Sequence, residues 1–189
     1  MNRRALLAVG LIFTAFAARL DAARAAQAEQ PVTPEVSPPG DIPDNQVFIT
    51  FKSPAGFSVK VPEGWARKDD GNTTVFQDKY DQITLTVSNL SGPLELDFAK
   101  QTLVPEIQRG RAVKIMNVSK VKLKGGAAIK VAYNENSEPN LVTNKQIRME
   151  SERYYFAHGG KLVGLDLSAP MGADNVDQWK LISSSFRWK

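Results

Sequence analysis

From residue 47 to residue 61 apolar and polar positions alternate in the rhythm of half-buried strands. Val47 to Phe51 forms one run, and in the next Phe57, Val59 and Val61 face one way while Ser58 and Lys60 face the other. Successive side chains on a strand point to opposite sides, so this period predicts strands. Pro62-Glu63-Gly64 ends the second run, because Pro has no amide hydrogen for a ladder and Gly accepts turn geometry; Trp65 follows. Asp69-Asp70-Gly71-Asn72 predicts a hairpin turn into Thr73 to Gln77, and Ile83, Leu85 and Val87 alternate in the next strand. At Gly92-Pro93 the period changes. Leu96, Ala99, Leu103 and Ile107 recur at helical spacing, with Glu95 in the first turn and Arg109-Gly110 at the end, which predicts a helix from Glu95 to Gln108.

Four further strands are predicted beyond it: Ala112 to Leu123, Ala127 to Asn134, Val142 to Ala157 and Lys161 to Ser168. Gly125-Gly126 and Gly159-Gly160 sit between these runs where tight hairpins need positive φ, so the strands should pair as an antiparallel meander. A last amphipathic stretch, Ala173 to Ser184, turns Val176 and Trp179 toward a core and ends at Ser185-Phe186-Arg187-Trp188. The expected fold class is α+β: a central, mostly antiparallel sheet covered by helices.

Two segments precede this domain. Arg3 and Arg4 followed by apolar Ala5 to Ala18 have the n-region and h-region of a secretory signal, and the apolar run is too short for a stable membrane span. Ala26-Gln27-Ala28 before Glu29, and Ala23-Arg24-Ala25 before Ala26, both fit a small-x-small cleavage site; the first is favoured. Residues 1–28 are thus expected to be a signal peptide. The adjacent arginines partly match a twin-arginine signal, but with no cofactor to load before export the general secretory route asks for less. Residues 29–45 carry Pro31, Pro34, Pro38, Pro39 and Pro43 with few large apolar side chains, so a flexible Pro-rich linker is expected there, with the folded domain spanning 46–189.

Charge and cysteine usage narrow the function classes. The formal net charge of +4 is concentrated in the signal, and residues 29–189 hold 20 basic and 19 acidic residues. Such a nearly neutral chain lacks the basic excess of a nucleic-acid binder. There is no cysteine, hence no disulfide, no thiolate metal site and no acylated Cys at the end of the signal. The expected location is periplasmic or secreted, with no transmembrane span after cleavage.

The segment Gly56-Phe57-Ser58-Val59-Lys60-Val61-Pro62-Glu63-Gly64-Trp65, the strand Ile83 to Asn89, the helix after Gly92-Pro93, the Gly125-Gly126 hairpin and the closing Ser184-Ser185-Phe186 resemble the PsbP-like family, over roughly residues 46–189. That resemblance implies an α/β/α sandwich around an antiparallel sheet and a binding or assembly role. The family's metal positions use His and acidic residues. Only His158 is present here and no motif aligns with it, so no metal ligand and no cofactor carry over.

Candidate chemistry is sparse. His158 lies in a predicted hairpin mouth and reads as a turn residue. Asp69, Asp70 and Asn72 supply oxygens without the spacing of a calcium loop. There is no Gly-x-Ser-x-Gly elbow and no catalytic triad to assemble. Glu150 and Glu152 share one strand face, and with Arg148 and Arg153 beside them they read as charged cross-strand pairs. Two surfaces remain. Arg109, Arg111, Lys114, Lys120, Lys122, Lys124 and Lys130 form a run free of acidic residues, with Lys120, Lys122 and Lys124 expected on one strand face. They could attract an anionic partner, or simply solubilise an edge. Trp65, Tyr133, Tyr154, Tyr155 and Trp179 could line a pocket between sheet and helix, with core packing as the plain alternative. The leading expectation is an exported, non-catalytic accessory protein that binds an envelope protein; binding of an anionic surface or polymer comes second and a hydrolase third.

Overall fold

The computed structural model describes residues 29–189, so the signal peptide expected at residues 1–28 lies outside the described residues. The described chain runs through β1 (Phe48–Ser53), β2 (Phe57–Pro62), β3 (Ala66–Asp70), β4 (Thr73–Asp78) and β5 (Asp81–Asn89). A helical stretch follows, made of α1 (Leu96–Phe98), a π-helical segment at Ala99–Leu103 and α2 (Val104–Ile107). Then come β6 (Lys114–Leu123), β7 (Gly126–Asn136), β8 (Arg148–His158), β9 (Lys161–Pro170), α3 (Val176–Ser185) and the short β10 (Arg187–Trp188).

Seven strands form one antiparallel sheet in the order β3-β4-β5-β9-β8-β7-β6, and β1-β2-β10 form a second, smaller one. The β8–β9 hairpin turns on Gly159 and Gly160, with φ of 55° and 75°, and sets His158 opposite Lys161. That register brings Arg153 opposite Asp166. The expected meander β6-β7-β8-β9 is present. It meets the local meander β3-β4-β5 through the long-range pairing of β5 with β9.

Each face of the large sheet has its own cover. The small sheet and α3 close one face around Phe57, Phe156 and Phe186, all at most 1% exposed. Phe186 stacks on Phe156 at 3.9 Å between ring centroids and on Phe57 at 5.3 Å. The helical stretch 96–107 covers part of the other face, where Ala99, Leu103 and Ile107 pack on Ile129, Val131 and Tyr133. The fold is α+β, with helical cover on both faces of a central antiparallel sheet and one cover shared with the small sheet.

Two local readings need correction, and one strand was not expected. Residues 29–45 are not a free linker: Glu29 accepts hydrogen bonds from Asn136 and Gln146 and pairs with Arg111 at 2.9 Å, Glu35 pairs with Lys145, and Ile42 is buried. Their prolines suit an extended strap whose amides are met by side chains; Ile42 N–H donates to Asn175 Oδ1 at 2.7 Å and Val32 N–H to Asn136 Oδ1 at 3.0 Å. The strand expected from Val142 begins instead at Arg148. Asn140 Oδ1 accepts from the amides of Val142 and Thr143, and Asn144 has φ +55°, so the apolar Leu141 and Val142 sit exposed in a turn. Finally, β3 is exposed along its whole length and has no alternation to announce it.

Candidate functional site

The acid-free basic run acquires carboxylates from elsewhere in the fold. Lys120 Nζ lies 3.1 Å from Glu95, Arg111 reaches Glu29 and, at 3.7 Å, Glu138, and Lys130 pairs with Glu152. Among the described residues Arg109, Lys114, Lys122 and Lys124 make no ion pair. Nor do the seven share one face. A register shift between Ile115 and Asn117 resets the alternation of β6, so Lys114 lies opposite the side of Lys120 and Lys122. Lys124 sits at the β6–β7 turn, and Lys130 points to the face of Tyr154.

The five aromatics do not line one pocket. Tyr154 and Tyr155 are consecutive on β8 and so face opposite ways: Tyr154 joins the core under α3, and Tyr155 joins Tyr133 under the helical stretch 96–107. Trp65 packs at the rim of the first core. Tyr154 and Trp179 do meet, in a cleft of about 340 Å³ beside α3 that Lys130, Glu150 and Glu152 also line. There Tyr154 O–H donates to Glu152 at 2.5 Å, and burial raises the Glu150 carboxyl above its ordinary value although Gly172 N–H donates to it. Arg148 and Arg153 do not pair with these glutamates. Arg148 donates to Asn136 and to the Ala112 carbonyl, and Arg153 lies on the opposite face.

That opposite face holds a site that pattern reading missed. Across β5 and β9 it presents Gln82, Thr84, Thr86, Ser88, Asp166 and Ser168. The helical stretch covers only the neighbouring strands, so an open cleft of about 380 Å³ remains between it and β5. Phe98, Leu103 and Tyr155 give this cleft an apolar wall, Thr84, Thr86 and Ser88 a hydroxyl wall, and Arg153, Gly164 and Asp166 form its floor. One row further along the strands a more polar cleft of about 480 Å³ opens over Gln82, Glu135, Met149 and Ser168.

The floor is a charge network in which Asp166 is buried and Arg153 half-buried. Arg153 Nε donates to Asp166 Oδ2 at 2.9 Å, its Nη2 donates to the same oxygen, and Tyr133 O–H adds a third bond at 2.7 Å. Burial works against the Arg153 cation, but Asp166 and the nearby tyrosines outweigh it and hold the guanidinium protonated. Burial, reinforced by Asp166, likewise raises the Tyr133 phenol far above its ordinary value. All three bonds end on one carboxylate oxygen. Oδ1 of Asp166 is buried with no hydrogen-bond partner, as is Arg111 Nε elsewhere. Glu135 nearby is pushed up to about 7, by burial and by the Asp166 charge. The missed signal was a lone Asp inside the apolar run Leu162 to Leu167, opposite Arg153 once the Gly159-Gly160 turn sets the register.

His158 is exposed on the β8–β9 turn with its ring 5.5 Å from that of Trp188. Among the described residues no group of three or more His, Cys, Asp or Glu side chains is placed to hold a metal ion. No described helix is long and apolar enough to cross a membrane.

No protein-family model matches the sequence, and no curated protein matches it. Solved structures do. Cyanobacterial PsbP (CyanoP) from Synechocystis sp. PCC 6803 superposes with a TM-score of 0.54 at 17% identity, covering 79% of this chain and 98% of that one. The Saccharomyces cerevisiae Ran-binding protein Mog1p gives 0.52 at 10% identity, covering 76% and 96%. LpqN, involved in cell envelope biogenesis of Mycobacterium tuberculosis, is a looser likeness at 0.48 and 14% identity, covering 75% and 89%. The described residues share the fold of these structures, a PsbP-like fold.

Proposed function

We propose that this chain is an exported, non-catalytic accessory protein of the bacterial cell envelope that seats an amphipathic segment of an envelope protein in the cleft between β5 and the helical stretch 96–107. One observation carries the reading: the cleft sets the hydroxyls of Thr84, Thr86 and Ser88 opposite an apolar wall of Phe98, Leu103 and Tyr155, over a floor that holds the Arg153–Asp166 ion pair. The mixed walls, hydroxyls on one side and Phe98, Leu103 and Tyr155 on the other, suit an amphipathic peptide rather than a simple ion.

Export rests on the n-region and h-region pattern of residues 1–28. Glu29, the residue after the favoured cleavage site, is tied to Arg111, Asn136 and Gln146.

Gly164 provides the test. A Cβ added there meets Tyr155 at 3.6 Å, an ordinary contact, so Gly164→Leu should fill the floor and keep the strand. The mature chain is incubated with envelope extract at low and high salt beside this variant. Retention of one protein at high salt by the natural chain, lost in Gly164→Leu, supports the cleft. Equal retention by both rejects it.

A further inference from the structure

On the other side of the sheet, three cations with no ion pair among the described residues converge on one groove. Lys60 comes from β2, Lys124 from the β6–β7 turn and Arg187 from β10, and together with Ser58, Ser184 and Ser185 they line a groove of about 430 Å³. No carboxylate is among the residues that line it. These positions lie 64 and 63 residues apart in sequence, so no charge run announced them.

The three are brought together by backbone contacts, not by chance proximity of long side chains. Gly125, next to Lys124, lies so close to the C-terminal segment that a Cβ there would fall 2.2 Å from the Phe186 carbonyl oxygen. Only glycine lets the hairpin tip rest against that backbone. Ser58 pairs with Arg187 in the small sheet, and Lys60 N–H donates to Ser185 Oγ at 2.7 Å. The Arg187 guanidinium is itself held: its Nη1 donates to the carbonyls of Ser184, at 2.8 Å, and Phe186, at 2.5 Å. Those bonds use one nitrogen and leave the Nε/Nη2 edge uncommitted. That edge is the fork by which arginine grips a tetrahedral oxyanion with two parallel hydrogen bonds.

Arg187 also caps the C-terminal end of α3, where carbonyl oxygens carry partial negative charge. Capping accounts for Nη1. It does not account for Lys60 and Lys124, which make no bond to those carbonyls. We propose that this groove is a phosphate-type oxyanion site, with the free edge of Arg187 as the fork and Lys60 and Lys124 as flanking charges. The ligand is a phosphate group, either free or at the head of an anionic lipid. Because the groove lies on the opposite side of the sheet from the β5 cleft, the two readings stand or fall separately.

Amide NMR shifts of the mature chain are followed while inorganic phosphate is added, with sodium chloride of matched ionic strength as control. Saturable shifts are expected at Lys60, Lys124, Gly125 and Arg187 with phosphate only. The double variant Lys60→Gln/Lys124→Gln should weaken them by about tenfold, and Arg187→Lys, which keeps the charge but loses the fork, by several-fold. Both lysines are exposed, so the double variant should keep the spectrum of the folded chain. Vesicles of phosphatidylglycerol, beside neutral phosphatidylcholine vesicles, separate the sources. Co-sedimentation with the anionic vesicles alone, lost in the double variant, identifies a lipid headgroup, and phosphate shifts without co-sedimentation identify free phosphate. Shifts reproduced by chloride, shifts unchanged in the double variant, or no shift in the groove with either probe overturn the proposal.

Discussion

On one face of the seven-stranded sheet Ile83, Leu85, Phe156, Val163, Leu165 and Leu167 are at most 1% exposed, whereas the same strands present Thr84, Thr86, Arg153, Asp166 and Ser168 on the other. The first face is sealed by two elements, the small sheet and α3, and its aromatic rings stack at contact distance. The second is sealed only where the helical stretch 96–107 reaches, and it holds an ion pair where the cover ends. The packed core and the open polar cleft thus lie on opposite sides of one pleated layer. A strand can carry both because its side chains alternate; a helix would have to divide its circumference.

The largest effect should come from the sealed face. Phe186→Ala removes a ring that is 0% exposed and stacked on Phe57 and Phe156. A cost of about 3–5 kcal/mol is expected from lost burial and the remaining cavity, read as a lower urea midpoint. A loss below about 1 kcal/mol would mean that the face is less tightly packed than it looks.

A somewhat smaller loss, about 3 kcal/mol, is expected for Asp166→Ala, which leaves the Arg153 charge without its partner. The sharper measurement is the double change Arg153→Met/Asp166→Leu. Apolar replacement of a buried ion pair is often neutral or stabilising. If the pair serves recognition, the double variant should match the natural chain in urea midpoint while losing the retained envelope protein. A double variant as unstable as Asp166→Ala would instead assign the pair a structural role and erase the contrast between the faces.

A third effect is pH-dependent and compares one carboxyl from each face. Asp81, on the sealed side beneath the strap, is raised to about 7 by burial and then by the neighbouring Asp78, although Asn175 donates to it. Glu135, on the open side, is also raised to about 7, by burial and then by Asp166. Both are raised above their ordinary values of 3.8 and 4.5, so the folded chain keeps protons that the unfolded chain has released. Their contribution is fully present below about pH 4 and is lost as pH rises through about 7. The melting temperature should therefore fall between about pH 5 and about pH 8. Asp81→Asn and Glu135→Gln should each flatten part of that slope. A melting temperature that climbs across the range would show that water reaches both groups and that neither face is as dry as described.

Much of the fold was legible because it is written in local periods. Phe57, Val59 and Val61, then Ile83, Leu85 and Val87, announce strands that the structure contains, and Leu96, Ala99, Leu103 and Ile107 announce the helical stretch, although a π-helical segment interrupts it. The exposed strand β3 has no such period, and residues 29–45 lack an apolar pattern because their order comes from single anchors such as Ile42 and Glu29. The candidate sites were less legible. Tyr154 and Tyr155, two of the five aromatics expected around one pocket, are separated by the thickness of the sheet. The acid-free basic run looked unpaired, yet Glu29, Glu95 and Glu152 come to it from three other parts of the chain.

By itself the sequence determined the α+β class, most strand positions, the glycine hairpins and hence the register that sets Arg153 opposite Asp166. These depend on neighbours a few residues apart, whose alternation and turn geometry the order of residues specifies directly. Only the tertiary structure decided which face would be covered, that the proline-rich strap would lie against the domain, and that Lys60, Lys124 and Arg187 would meet in one groove. Those outcomes depend on contacts between segments 60 to 140 residues apart, and charge, burial and hydrogen bonding act through space rather than along the chain.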